Sequence, residues 1–253
     1  MRGAPRVAHR AGRSSQATPA AVDNSAPSQP ARTPLIIRGM LFKQPEPLLK
    51  STVMLYNIEG DLQSHYEILH EMFSRLASCK GQWRIHARGR VNDRKYHAGA
   101  GHLVRRERIQ LTLKNPPYVK TNILTPSIPC GGKILYFFPD LVLICDRGNV
   151  GAVSYQNLSV EITQTQFIEE GSLPGDAKIV EYTWKYVNKS DGPDRRFKDN
   201  RKLPIALYAE LDFSSTVGLK EKFQFSNGEV VGGFVEALGA IAALTRAGDW
   251  HVR

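Results

Sequence analysis

The feature that most constrains the fold is a series of short apolar runs, separated by turn residues, between Leu103 and Phe225. Residues 133–138 and 141–146 are two such runs, and Pro139-Asp140 between them predicts a hairpin. The other predicted strands lie at residues 109–113, 150–155, 158–162, 178–187, 203–213 and 219–225. Seven or eight short strands at this spacing are typical of an antiparallel β sandwich or barrel.

A helical pattern follows the last predicted strand. Ser226 and Glu229 have the spacing of a capping box, in which each side chain satisfies an unpaired amide of the first helical turn. The apolar positions that follow form a stripe with helical spacing: Val231, Phe234, Val235, Leu238, Ile241 and Ala242. We expect this C-terminal helix to pack on the sheet as a cap.

A strand-helix-strand pattern precedes the basic part of the chain. Residues 51–57 predict a short strand, Asp61 is a candidate helix cap, and residues 82–87 predict a second strand. The helix between them carries an apolar stripe of Leu62, Tyr66, Leu69, Phe73 and Leu76. This pattern predicts an N-terminal αβ extension that packs on the later sheet.

These patterns together predict an α+β protein in three parts. Residues 1–34 are rich in Ala, Arg, Ser and Pro and predict a disordered tail. Residues 35–102 form the αβ extension with a basic segment, and residues 103–253 form the β domain with its helix. Antiparallel strands followed by one C-terminal helix are the order of elements in pleckstrin-homology-like barrels, and we expect that arrangement.

The net charge of +10 is concentrated in two places. Residues 1–34 carry +4 and residues 80–108, the basic segment, carry +7, whereas the rest of the chain sums to −1. A mixed-charge loop, residues 188–202, adds basic and acidic side chains between two predicted strands. The candidate residues for binding an anion or a partner are Arg84, Arg88, Arg90, Arg94, Lys95, Arg105 and Arg106 in the basic segment, and Arg195, Arg196, Lys198 and Arg201 in the loop.

Each basic region has more than one interpretation. The basic segment interleaves cations with Trp83, Tyr96 and histidines, a composition used for phosphate contact and base stacking, but it also suits an acidic protein partner or a solvated face. The mixed-charge loop either binds an anion or is shaped by pairing of Asp194 with its arginines, with Phe197 anchored in the core.

No catalytic, cofactor or metal signature is recognisable, and we expect no enzyme. His65 and His70 are five residues apart on a predicted helix and cannot share a metal ion. The pair Glu169-Glu170 lies in a glycine-rich stretch and is predicted to be solvated. An enzyme that uses Asp194 with Arg195 and Arg196 is the remaining alternative in that class.

Composition also bears on location. The longest apolar runs fall short of the roughly 20 residues of a membrane-spanning helix, so we expect no transmembrane segment. Cys79, Cys130 and Cys145 are widely spaced, odd in number and without a pairing pattern, which favours a reducing compartment. The sequence therefore predicts a cytoplasmic protein.

A set of motifs resembles a family of uncharacterised bacterial proteins over roughly residues 50–227. The motifs are Ala98-Gly99-Ala100 before Leu103-Val104, Pro116-Pro117 with Lys120-Thr121-Asn122, Leu135-Tyr136-Phe137-Phe138-Pro139-Asp140, Val150-Gly151-Ala152-Val153-Ser154-Tyr155, Thr183-Trp184-Lys185-Tyr186-Val187-Asn188-Lys189 and Gly192-Pro193-Asp194-Arg195-Arg196-Phe197 with Asn200-Arg201. The resemblance implies a bacterial cytosolic protein, used elsewhere as a module beside other small domains, and implies no activity. Family members typically carry Asn at the place of His97 and Ser at the place of Gly101.

The leading hypothesis is thus a non-enzymatic binding or adaptor module, whose ligand is a protein or an anionic surface. The alternative is a protein that associates with nucleic acid or another polyanion through residues 80–108.

Overall fold

A computed structural model describes residues 51–90, 97, 98, 100 and 102–247 of the chain. The predicted tail, residues 1–34, lies outside these described residues, as do Arg94 and Lys95. The described part contains thirteen β-strands in three sheets and two α-helices. Eleven of these strands lie between His102 and Phe225, where seven or eight were predicted. The strands are β1 (Thr52–Met54), β2 (Gln82–Arg90), β3 (His102–Arg108), β4 (Thr112–Leu113), β5 (Val119–Thr121), β6 (Pro126–Cys130), β7 (Lys133–Phe137), β8 (Leu141–Asp146), β9 (Asn149–Ser154), β10 (Leu158–Ile168), β11 (Lys178–Trp184), β12 (Lys202–Ser215) and β13 (Lys220–Phe225), and the helices are α1 (Gly60–Ala77) and α2 (Gly228–Ala247).

The largest sheet has six antiparallel strands in the order β10-β12-β13-β2-β3, with β11 also paired to β12. The long strand β12 pairs with β10 along residues 205–215. Its other edge pairs with β13 over residues 209–214 and with β11 over residues 202–207. The strands β3 and β10 are therefore the two ends of this strand order, and β11, which among the described residues pairs only with β12, is a third edge strand.

The second sheet has five antiparallel strands in the order β4-β6-β7-β8-β9. The predicted hairpin across Pro139-Asp140 is confirmed as β7 and β8. The next turn, from β8 to β9, places Arg147 and Gly148 at φ angles of 45° and 94°, as a two-residue type I′ hairpin requires. A third, two-stranded sheet pairs β1 with β5 in parallel.

One apolar core joins the two large sheets and both helices. The Phe137 ring of β7 lies 6.2 Å from the Phe213 ring of β12 and 5.8 Å from the Phe234 ring of α2. Phe234 in turn lies 5.9 Å from Phe73 of α1. All four rings are fully buried, and burial of each stabilises the fold by about 2 kcal/mol.

Both predicted helices are confirmed, with their apolar faces in this core. The predicted capping box of α2, however, is wrong. Asn227 is the cap, because its Oδ1 accepts the Glu229 amide at 3.0 Å. The Ser226 hydroxyl is buried and instead accepts the Gly81 amide at 2.8 Å and donates to Asp176 at 2.7 Å. Asp61 likewise lies in the first turn of α1 rather than capping it, since the helix begins at Gly60 and Glu59 is in the N-cap position.

The predicted α+β class, with mainly antiparallel sheets and two helices, is confirmed. The strands of the described residues form open sheets and no closed barrel. The separate αβ extension is not confirmed, because β2 pairs with both β13 and β3 inside the six-stranded sheet and α1 shares the core with α2.

Helix α2 also bears on the expectation about membranes. Its stretch Gly228–Arg246 has a mean hydropathy of 1.4 and is, by length and composition alone, sufficient to cross a membrane. The stretch contains no long unbroken apolar run, because it is interrupted by glycines and Glu236. In the fold, its side chains Val231, Phe234 and Ile241 are buried in the core.

Candidate functional site

The six-stranded sheet has an outer face, the face opposite the apolar core, and this face carries a second, smaller cluster. Trp83, Ala206 and Tyr208 are buried there, and Phe167 packs against them. The cluster is aromatic: Tyr208 lies 5.3 Å from Trp83 and 5.8 Å from Phe167, measured between ring centroids. The cluster forms an apolar surface on which charged side chains from neighbouring strands pack.

Arg106 of β3 packs on this surface, with its guanidinium between two aromatic rings. Its guanidinium carbon is 3.8 Å from the Trp83 ring and 4.1 Å from the Phe167 ring, both cation–π contacts. Its Nη2 donates to both carboxylate oxygens of Glu169, at 2.8 and 2.6 Å, and its Nη1 donates to Gln224 at 2.8 Å. These three hydrogen bonds hold the guanidinium in one orientation.

Glu169 is the buried counter-ion of this arginine. Its side chain is only 8% exposed, and it also accepts the Tyr208 hydroxyl at 2.9 Å. Burial and the nearby carboxylate raise the pKa of Tyr208, which keeps the phenol protonated as a donor. The prediction that Glu169 is solvated is wrong, because the strand β10 continues to residue 168 and brings the carboxylate over the sheet.

A second ion pair extends the network along the outer face. Arg88 of β2 donates to Glu210 at 2.5 Å, and Gln224 links the two pairs by donating to the same carboxylate at 3.3 Å. Glu210 is fully enclosed, with 2% of its side chain exposed, whereas Arg88 reaches the surface with 39% exposed. Each buried carboxylate on this face thus has a cationic partner, as burial of charge requires.

Arg84 and Arg105 of the basic segment do not join this network on the outer face. Arg84 points to the core side and pairs with the buried carboxylate of Glu221 at 2.8 Å. Arg105 is exposed, and its side chain makes no hydrogen bond or ion pair with another described residue. Arg90 ends β2.

The mixed-charge loop is held by its own side chains. Asp194 is buried and accepts two hydrogen bonds from the Arg196 guanidinium, at 3.0 and 2.7 Å. Phe197 stacks on Tyr186 with ring centroids 4.1 Å apart, and Asn200 accepts the Tyr186 amide at 3.0 Å and donates to its carbonyl at 2.8 Å. These contacts support the interpretation in which Asp–Arg pairing shapes the loop.

Not every cation of this loop is used to shape it. Arg201 donates to the Glu170 carbonyl at 3.0 Å. Arg195 and Lys198 are exposed and make no side-chain hydrogen bond or ion pair within the described part of the chain. They are therefore available to a partner.

The structure brings the two basic regions together. The Ala98 amide donates to the Lys185 carbonyl at 3.1 Å, and the Thr183 hydroxyl donates to the Ala98 carbonyl at 3.0 Å. Ala98 has a φ of 53°, which turns the chain sharply at this point. The connection between β2 and β3 thus meets the end of β11, and the Lys185 amide in turn donates to the Arg201 carbonyl of the mixed-charge loop at 2.9 Å. The sequence alone does not show this contact.

A cavity of about 550 Å³ opens beside this contact, and we call it the slot. One wall is β3 with the preceding His97 and Ala100, and the other is the end of β10 with residues 169–171. Arg88 and Arg106 reach it from the outer face. Of the predicted binding residues, these two line the slot, and His97, His102 and Glu169 are lining residues that the sequence analysis did not select.

A second cavity of about 510 Å³, the groove, lies along α1 on another side of the molecule. Its walls include Tyr56, Tyr66, His70 and Leu124. The Nε2 atom of His70 is buried and has no hydrogen-bond partner, and burial lowers the pKa of this imidazole. The groove is therefore aromatic and holds a neutral histidine at neutral pH.

A buried carboxyl group lies behind the groove. Asp140, in the turn between β7 and β8, accepts the Tyr56 hydroxyl at 2.8 Å. Burial raises the pKa of Asp140. The same burial, together with the nearby carboxylate, raises the pKa of Tyr56, so that the phenol is the donor of this bond.

The three cysteines are free thiols in this fold. Burial raises the pKa of Cys79 to about 11 and that of Cys130 to about 12, and it also raises the pKa of Cys145. Such thiols are weak nucleophiles at neutral pH, since the thiolate is the reactive form. Among the described residues, no three His, Cys, Asp or Glu side chains lie close enough together to hold a metal ion.

Comparison with protein-family models, with curated proteins and with solved structures finds no match to this chain.

Proposed function

We propose that the chain is a non-enzymatic binding module that recognises an acidic segment of a partner protein at the slot and the adjoining mixed-charge loop. The observation that carries this proposal is the series of hydrogen bonds from Ala98 to Lys185 and from Lys185 to Arg201, which places the two basic regions beside one another. The protonated, buried thiols give no support to nucleophilic catalysis by cysteine.

The division of cations into two groups suits such a module. Arg88 and Arg106 are held in place by buried carboxylates. They therefore form a rigid part of the surface, and their charge is largely neutralised. Arg105, Arg195 and Lys198 are exposed, and charges of this kind at the rim of an interface mainly raise the association rate. An acidic partner would be steered by the exposed cations and positioned by the rigid ones.

The test is the affinity of a fluorescent ten-residue polyglutamate, measured by anisotropy at low and at physiological salt. The variant R195E/K198E removes two exposed cations of the loop, and we expect it to weaken binding about tenfold, or about 1.4 kcal/mol. The matched control is K114E/K120E, which makes the same change in net charge at two exposed lysines outside the six-stranded sheet. Equal losses in the two variants would reduce the effect to net charge and contradict the proposal.

A polyanion such as nucleic acid is the second candidate ligand for the same surface. Exposed aromatic rings favour it: the Tyr182 side chain on β11 is 56% exposed, and Lys202 lies 5.4 Å from the Trp184 ring. Base stacking on such rings is tolerant of sequence. Binding of a single-stranded oligonucleotide that weakens steeply with salt, and that Tyr182→Ala reduces, would favour this candidate over a protein partner.

We further propose a bacterial cytoplasmic setting and a pleckstrin-homology-like relation among the strands and α2. The three free thiols are compatible with a reducing compartment. The strand β13 leads directly into α2, the order of elements on which the comparison with pleckstrin-homology domains depends. Membership of the uncharacterised bacterial family belongs to the same proposal.

A further inference from the structure

The slot lies between the two end strands of the six-stranded sheet. Among the described residues, β3 pairs only with β2 and β10 pairs only with β12, so each has one edge without a strand partner. Such an edge presents a row of backbone N–H and C=O groups that another strand can use. The two edges face the same cavity.

The lining of the slot shows that these edges form its walls. Consecutive residues line it on both sides: 102–104 from β3 and 165–168 from β10. Because successive side chains of a strand point to opposite faces, side chains on one face alone would line a cavity only at every second residue. Consecutive lining residues therefore mean that the strand edge, with its backbone groups, borders the cavity.

The floor of the slot is rigid. Arg106 lies between the rings of Trp83 and Phe167, and Glu169 holds its guanidinium with two short hydrogen bonds. Only 13% of the Arg106 side chain is exposed, and both of its Nη atoms already donate to Glu169 and Gln224, so they do not compete for backbone groups of an added strand. A ligand that binds here loses little free energy to ordering of the floor.

Charge selects what kind of strand fits. The slot lining carries as many glutamates as arginines, since Glu169 and Glu170 line it together with Arg88 and Arg106. The excess of positive charge lies along β3, which carries Arg105, Arg106 and Arg108 against Glu107. A second copy of β3 along the same edge would bring like charges together, which disfavours pairing between two copies of this chain. An acidic strand has the complementary charge.

We infer that the slot binds an extended acidic peptide by β-strand addition, with the peptide pairing along the free edge of β3. Backbone hydrogen bonds supply affinity in this mode, and pockets for alternate side chains supply specificity. This inference rests on the proposed function and specifies how the acidic ligand binds. The segment β3 is seven residues long, and this sets the length of the recognised peptide.

The experiment uses the full chain and a labelled, end-capped heptapeptide that alternates glutamate and valine. Two further peptides of the same sequence carry N-methyl groups, one on its valine amides and one on its glutamate amides. Each removes the N–H donors from one edge of the peptide strand and keeps its charge. Strand addition to β3 predicts at least a tenfold loss of affinity for one of the two. It also predicts slower hydrogen exchange at alternate amides of residues 102–108 when the unmodified peptide is bound.

The outcomes separate this inference from the proposed function. If polyglutamate and all three heptapeptides bind with equal affinity, and exchange in β3 is unchanged, strand addition is wrong while recognition of an acidic ligand stands. If neither polyglutamate nor any heptapeptide binds, the proposed function fails, and the inference fails with it. A heptapeptide that binds tightly and loses affinity on N-methylation supports both.

Discussion

The slot and the groove have similar volumes, about 550 and 510 Å³, but they are built from different chemistry. The slot is bordered by two strand edges and by arginines, of which the buried ones are neutralised by glutamates. The groove is bordered by aromatic rings and by a neutral histidine whose Nε2 has no partner. The comparison teaches that volume alone does not mark a site: among the described residues, the slot offers strand edges without a strand partner and is bordered by the basic strand β3, whereas the groove offers aromatic rings and one histidine nitrogen.

The largest expected effect concerns the buried charge in the slot. Glu169→Gln keeps the shape of the side chain but removes the counter-ion of Arg106, and we expect a loss of about 3 kcal/mol in the free energy of unfolding. Urea denaturation measures it. The matched control is Glu71→Gln on α1, whose pair with Arg75 is exposed on both sides and is worth less than about 1 kcal/mol. Equal effects of the two substitutions would show that the outer-face network adds no special stability.

A smaller effect is expected at the groove, from His70→Leu. At neutral pH the substitution removes a buried nitrogen without a partner, which favours the folded state by about 1 kcal/mol. In the native protein the pKa of His70 is lowered on folding, so the unfolded chain binds the proton more readily. With respect to His70, the native protein therefore has its full free energy of unfolding above the unfolded-state pKa of about 6.5. It loses stability as the pH falls toward the folded-state pKa.

Urea denaturation midpoints at pH 7.5 and pH 5 test whether stability falls with pH as predicted. The native protein should lose stability between the two pH values by more than His70→Leu does. His65→Leu serves as the control, because the ring of this histidine, on the same helix, bonds to the Asp61 carbonyl at 2.6 Å. An identical pH dependence in the native protein and His70→Leu would mean that His70 is not the group responsible.

The smallest effect is expected behind the groove, from Asp140→Asn. Folding raises the pKa of Asp140, so its contribution to stability is present below the unfolded-state pKa and is lost as the pH rises through the folded-state value. An amide oxygen still accepts the Tyr56 hydroxyl, and we expect the variant to equal the native protein at pH 7 or to exceed it by up to about 1 kcal/mol. A clear loss of stability at pH 7, measured by urea denaturation, would mean that the ionised carboxylate is needed.

The elements that could be predicted are those with a strong local pattern. The stripe of α1 and the hairpin of β7 and β8 need only residues near one another in sequence, and both are confirmed. The strand β3 was missed because its run of charged residues resembles a solvated loop, and only the pairing with β2 makes it a strand. The cap of α2 was misassigned because Ser226 bonds to Gly81, which is 145 residues away.

The residues of the candidate site could likewise be predicted only in part. Arg88 and Arg106 could be selected from the sequence because cations are conspicuous in it. Their partners could not, since Glu210 and Glu169 lie 122 and 63 residues away, and a glutamate beside Gly171 and Ser172 resembles an exposed loop residue. The contact of Ala98 with Lys185 is likewise a backbone contact that no side-chain pattern reports.

The most direct test of the difference between the two cavities is a map of amide chemical shifts as the acidic heptapeptide is titrated into the isotope-labelled protein. If the slot is the binding site, the largest changes will lie in residues 102–108, in residues 165–171 and in the mixed-charge loop, while residues around His70 and Leu124 stay unchanged. If the largest changes lie along α1 and around the groove instead, the assignment of the slot as the functional site is wrong.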